Sequence, residues 1–104
     1  MQVKVLLERE VRPGKMEDAV QLLKRLRMLA TSEPGYVSGE TLYDAQAPSK
    51  LLVLSTWASL EHWDAWQANP KRKEISARLE GLLIRPTATR FFHHSPAMPA
   101  DGGA

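Results

Sequence analysis

The sequence predicts an α+β domain in which helices cover one face of a four-stranded antiparallel sheet. Three observations predict it. Apolar residues recur every second position near both ends and in the middle of the chain, and every third or fourth position in between. Proline or glycine punctuates the changes of period, at "RPG" (12–14), at "EPG" (33–35) and at Pro70. With 104 residues, 43% of them hydrophobic and 25% charged, the chain has material for one core and not for two.

The first element is "VKVLLEREV" (3–11). Val3, Val5, Leu7, Arg9 and Val11 point one way and Lys4, Leu6, Glu8 and Glu10 the other, which makes a strand with a half-polar outer face. "RPGK" (12–15) breaks it. From Met16 to Thr31 the spacing of Ala19, Leu22, Leu23, Leu26, Leu29 and Ala30, with Asp18, Gln21, Lys24 and Arg25 opposite, predicts an amphipathic helix of about four turns. "SEPG" (32–35) stops it, because a residue before proline is pushed out of the helical region. "YVSGETLYD" (36–44) and "KLLVLSTW" (50–57) read as strands joined by the turn-rich "DAQAPS". Ser59 suits an N-cap, with Glu61 near the positive end of a second helix. That helix must kink or restart at Pro70, and "KRKEISARLEGLL" (71–83) continues it. "PTATRFFHH" (86–94) is the last strand. The order β-α-β-β-α-β is the ferredoxin-like arrangement, spanning residues 1–94. The closing "SPAMPADGGA" (95–104) reads as a mobile tail of small residues, Pro and Gly.

The third strand adds a constraint. Leu51, Val53 and Trp57 face one side, yet Leu52 and Leu54 face the other. A strand apolar on both sides is normally covered on both, and the helices cover only one. A second copy packed sheet to sheet is the simplest cover, so a homodimer is expected.

Several classes of function are excluded. A net charge of +2 with scattered Lys and Arg forms no basic stripe for nucleic acid. The opening "MQVKVLLERE" is too charged for a signal peptide or membrane span, and the expected location is cytoplasmic. There is no cysteine, so thiolate nucleophiles and thiolate metal sites are out. Of three histidines, His93 and His94 are adjacent and would point to opposite faces of a strand, so no metal is expected. No glycine-rich phosphate loop or dinucleotide fingerprint occurs, so no nucleotide cofactor is expected.

Chemistry concentrates in "EHWDAWQANP" (61–70), which holds two of the three tryptophans and a histidine. On a helix Leu60, Trp63 and Gln67 centre one face, and Trp66 lies about 60° aside with His62 one turn before it. One reading makes Trp63 core and pairs Trp66 with His62 on a pocket wall. The other makes both tryptophans core with His62 at its solvent edge. Arg9 shares a strand face with Val5 and Leu7, and either reaches the pocket or extends to its rim. Arg72 lies in "KRKE", a kind of run that is more often a solvated helix face.

"VRPGK", "SEPGYVSGETLYD" and "LLVLSTWASLEHWDAWQANPKRKE" together resemble the antibiotic-biosynthesis-monooxygenase (ABM) family of dimeric α+β barrels, from about Val3 to Phe92. The recognisable pieces are Pro34-Gly35-Tyr36, the strand ending in Trp57-Ala58-Ser59, and Trp66. Proteins of this family oxidise aromatic polyketides without a cofactor, degrade haem, or isomerise small molecules. The resemblance to the haem-degrading branch breaks at two of three positions. Its Trp falls on Trp66, but its strand Asn falls on Leu7 and its haem-ligating His on Ser76, a side chain that cannot replace an imidazole ligand. Against the polyketide-oxidising branch, the Asn one turn before the Trp falls on His62, and a following Tyr falls near Arg72. The resemblance therefore implies cofactor-independent oxygenation of an aromatic or quinol-like molecule. His62 and Trp66 would be catalytic, and Leu7, Arg9, Trp63 and Arg72 would surround the substrate. In such a site His62 can accept a phenolic proton, Trp66 can hydrogen-bond a ring oxygen, and Arg72 can hold developing negative charge. The alternatives are a non-catalytic binding protein using the same pocket, and an isomerase of a small carbonyl compound working through His62.

Overall fold

The computed structural model describes residues 1–95 and 97. It contains β1 (Val3–Glu10), α1 (Met16–Thr31), β2 (Tyr36–Tyr43), β3 (Lys50–Trp57), α2 (Leu60–Gln67), α3 (Pro70–Glu80) and β4 (Ala88–Phe92). The four strands form one antiparallel sheet in the order β2-β3-β1-β4, with the two edges unpaired. This is the ferredoxin-like order, open rather than closed into a barrel within one chain. Most of the 95–104 stretch, expected to be a mobile tail, lies outside the described residues. No described helix is long and apolar enough to cross a membrane.

Alternation along β1 sets the layers. Val3, Val5, Leu7 and Arg9 are all buried under the helices, and Leu51, Ser55 and Trp57 of β3 are buried beside them. Leu22, Leu23, Leu26 and Leu29 of α1 pack onto this face from above. Two clusters result, one around Trp57, Trp63 and Trp66, the other around Val11, Leu51, Leu79 and Leu83. On the opposite face Leu6, Leu52 and Leu54 are only half-buried, and Leu42 and Phe92 on the flanking strands are exposed.

Three elements differ from expectation. β1 ends at Glu10, with Val11 held instead by an isolated bridge to Leu83. The last strand runs over Ala88–Phe92, shorter than 86–94, because β1 offers it partners only from Lys4 to Glu8. At Pro70, where a kink or a restart was expected, the helix restarts, and α3 ends at Glu80 rather than at residue 83. Asn69 makes the break, because its Oδ1 accepts from the Lys71 and Arg72 N–H groups at 2.9 and 3.1 Å. With Pro70 at the first helical position, where no N–H is needed, this is a new N-terminus. The Asn69 amide also donates to Glu33 Oε1 at 2.5 Å, tying the break to the loop after α1.

That loop is tight. Tyr36 N–H donates to Glu33 O at 3.2 Å across Pro34 and Gly35, and Gly35 has φ 84°, so the chain makes a type II turn. Ala58 N–H donates to Gly35 O at 2.7 Å. The His62 side chain lies directly over the glycine, and a Cβ there would fall 2.2 Å from His62 Cγ.

Two stability measurements check this packing. Gly35→Ala combines a left-handed backbone, costing roughly 1–2 kcal/mol, with displacement of His62. Thermal melting is expected to show a drop of about 10 °C, at roughly 4–8 °C per kcal/mol for a domain of this size; melting at the wild-type temperature would contradict the contact. Trp63→Ala removes a large buried ring and should cost about 3–5 kcal/mol in urea unfolding.

Candidate functional site

Tyr36, Trp57, Trp63 and Trp66 converge between sheet and helices. Trp57, at the end of β3, is 1% exposed and touches the other three. Its ring meets Tyr36 edge-on at 5.4 Å and Trp63 edge-on at 5.7 Å, and stacks on Trp66 at 6.0 Å with planes 24° apart. Its own N–H is satisfied by Ser55 Oγ at 3.2 Å. Trp63 also meets Phe91 of β4 edge-on at 6.1 Å. Offset and edge-on arrangements are the favourable ones for ring quadrupoles.

A cavity of about 60 Å³ lies beside this cluster. Leu7, Arg9, Val53 and Ser55 line it from β1 and β3, Tyr36 and Thr41 from β2, Leu23, Leu26, Arg27 and Ala30 from α1, and Trp63 and Trp66 from α2. The expected division between a core Trp63 and a wall Trp66 gives way here. Both are buried, both touch Trp57, and both line the cavity. Residues three apart on a helix are only about 60° apart in projection, inside an apolar stripe roughly 100° wide. The stripe centres between the two tryptophans, which leaves Leu60, expected on it, on the shoulder at 44% exposure.

Of the expected site residues, Leu7, Arg9, Trp63 and Trp66 are brought together at this cavity. His62 and Arg72 are not among its lining residues. His62 is half-buried, with Nδ1 2.7 Å from Ser59 Oγ and its backbone N–H donating to the same oxygen at 3.2 Å. One ring nitrogen is thus engaged in the helix cap while the side chain covers Gly35. Arg72 caps the preceding helix, Nη1 donating to Gln67 O at 3.3 Å. Burial pulls its pKa down, partly offset by Glu80.

Arg9 carries the least expected environment. It is 7% exposed, and its Nε donates to Thr87 Oγ1 at 3.1 Å. Among the described residues the one ion pair joins Arg85 to Glu10, so no carboxylate lies within ion-pair reach of Arg9. Burial pushes its pKa down to about 10; Glu80 acts upward and Arg72 downward. The group is therefore charged near neutral pH in folded and unfolded chains alike. Protonation is less favourable in the fold, which costs stability on the order of 3 kcal/mol. Glu80 stays nearby with its carboxylate accepting the Thr87 N–H at 3.2–3.3 Å. Four residues before Glu80, Ser76 holds a buried hydroxyl with no hydrogen-bond partner among the described residues.

Tyr36, Arg27 and Trp57 were not anticipated as lining residues. Gly39, inside β2, was the available signal, since a glycine within a strand often marks a close approach. A Cβ there would fall 2.8 Å from the Tyr36 hydroxyl and 3.5 Å from the Arg27 guanidinium. Arg27 donates to Gly39 O at 2.9 Å and to Thr41 Oγ1 at 3.1 Å, so the glycine clears the path by which both side chains reach the cavity.

Among solved structures, a conserved protein from Methanosarcina mazei Go1 superposes with TM-score 0.87 at 21% identity, over 91% of this chain and 94% of that one. A Mycobacterium tuberculosis protein gives TM-score 0.83 at 21% identity over 91% and 96%. SnoaB, described as a cofactor-independent oxygenase from Streptomyces nogalater, gives TM-score 0.83 at 14% identity over 94% and 97%. At such identities these likenesses concern the fold. No curated protein matches the chain at a significant level. The sequence signature of antibiotic biosynthesis monooxygenases, however, matches residues 2–78, covering β1 through most of α3 and every residue lining the cavity, and on that ground the chain belongs to the antibiotic biosynthesis monooxygenase (ABM) family.

Proposed function

We propose that the cavity is a small-molecule site and that the protein oxygenates an aromatic, hydroquinone-like compound without a cofactor. The observation that carries this reading is the aromatic wall formed by Trp57, Trp63 and Trp66 beside a buried cation, Arg9. A phenol that loses its proton becomes an electron-rich anion able to react directly with O₂. One oxygen atom stays on the ring as a quinone carbonyl and the other leaves as water. The protein has to hold the ring, favour the anion and exclude bulk water. Stacked indoles supply the first, and Trp66 adds an N–H donor for a ring oxygen. A largely buried guanidinium supplies the second, since charge interactions strengthen where less water screens them. The fold shared with SnoaB supports the same chemistry.

As it stands the cavity accommodates about two water molecules, far below the several hundred Å³ of typical ligand pockets. Admitting a ring would require Leu23, Leu26 and Arg27 of α1, all half-buried, to move outward. No histidine or carboxylate lines the cavity. That observation weakens the isomerase reading through His62 and favours a second one, binding without turnover. It also means that the substrate proton departs to water or to O₂-derived species unless His62 rotates inward.

Two copies packed across the faces bearing Leu6, Leu52 and Leu54 would close the sheets into the barrel that the family resemblance implies, burying the exposed Leu42 and Phe92. Leu52→Asp places an unpaired charge in that interface. Sedimentation should show a wild-type dimer at micromolar concentration and a monomeric variant; a wild-type monomer would remove the argument.

Oxygen consumption over a panel of hydroquinones tests the activity. Trp66→Phe keeps most of the apolar volume and should melt within a few degrees of wild type while losing at least ~10-fold in turnover, the scale of one lost hydrogen bond to a charged group. Tight binding with no oxygen uptake by the wild type selects the binding reading.

A further inference from the structure

We propose that Arg9 anchors an anionic subsite, and that the ligand is an aromatic carboxylate with its ring against the tryptophans and its carboxylate at the guanidinium. This rests on the reading of the cavity as the ligand site, and deepens it by naming the substrate class.

Charge is the first ground. Two arginines, Arg9 and Arg27, line the cavity, and no aspartate or glutamate does. That balance suits a ligand that carries negative charge. Arg27 is accounted for by its two hydrogen bonds to β2. Arg9 is not: five guanidinium N–H groups are available and one, on Nε, is used, for Thr87. Its terminal nitrogens donate to no described residue, and neither is sealed from accessible space. A planar fork with two free nitrogens fits a carboxylate in bidentate fashion.

Position is the second ground. Arg9 lines the small aromatic cavity together with Trp57, Trp63 and Trp66, and also borders a cleft of about 510 Å³ beside Leu42, Tyr43 and Arg85. A carboxylate bound in the cavity at the guanidinium would share that space with the indoles. Glu8, Glu10 and Asp44 also border the cleft, and Glu10 is paired with Arg85.

The third ground is the lack of a structural explanation. A buried arginine kept for stability is paired with a carboxylate, because an unpaired one weakens the fold. Around Arg9, two guanidinium groups face the single carboxylate of Glu80, which is bonded elsewhere. A buried cation with no ion-pair partner among the described residues and two terminal nitrogens left without acceptors describes a site that an anion completes.

The test is a tryptophan-fluorescence titration of the full chain with 2,5-dihydroxybenzoate and with its neutral amide, 2,5-dihydroxybenzamide. Wild type should bind the acid at least ~10-fold more tightly than the amide, the usual scale for a hydrogen-bonded charge. Arg9→Met should lose the preference, binding acid and amide with similar affinities, and should melt at or above the wild-type temperature. Arg9→Lys should keep a reduced preference for the acid. Equal binding of acid and amide by wild type, binding of neither, or a preference that survives Arg9→Met would each overturn the proposal. So would a large loss of stability in Arg9→Met, because it marks Arg9 as structural. The comparison needs no turnover, so acid preference without oxygen uptake leaves the anionic subsite standing and removes only the oxygenase reading.

Discussion

The stacking of helix α2 on Trp57 is the contact on which the rest of the molecule depends. β3 is a central strand, paired on both sides, and Trp57 closes its last row against Val3 and Tyr36. Placing a large ring at that row fixes how far α2 stands from the sheet, and Trp63 and Trp66 set its rotation. Without the ring, an eight-residue helix has little to hold it, since isolated helices of two turns are unstable in water. The same contact leaves the gap beside the rings that becomes the cavity. Core and cavity are therefore built largely from the same side chains.

The polar edge of this arrangement runs against stability. A domain of this size has only some 5–15 kcal/mol between its folded and unfolded states. Holding a charged guanidinium at 7% exposure takes a visible share of that. Arg9 occupies an inward position of β1 where the alternation otherwise provides Val3, Val5 and Leu7, and an aliphatic residue would pack there at no electrostatic cost. Local rules of patterning are broken at functional positions more often than elsewhere.

Much of the fold was legible because its periods are strong. α1 from Met16 to Thr31 and β3 from Lys50 to Trp57 follow directly from spacing, each bounded by proline, glycine or turn residues. The restart at Pro70 was ambiguous because a proline serves a kink and a new helix equally well; the asparagine before it decided the matter through hydrogen bonds that spacing does not reveal. The candidate site was legible in part. Inward alternation put Leu7 and Arg9 on the face that lines the cavity, and helical angles put Trp63 and Trp66 near each other. The same angles could not show that a glycine from a distant loop would lie against His62 and draw it away from the cavity. Nor could they show that Gly39 would open a path for Tyr36 and Arg27, since that depends on two elements meeting.

Helix α2 is clamped at both ends to one short loop. At its start Ala58 holds Gly35 O and His62 covers the glycine; just past its end Asn69 holds Glu33. Three residues, 33 to 35, thus act as a bracket that leaves the tryptophan-bearing helix no independent hinge. Across the cavity α1 presents aliphatic side chains and one arginine that, among the described residues, is tied to an edge strand. The cavity thus has one wall of indoles on a helix braced at both ends and another of leucines and an arginine bound to β2.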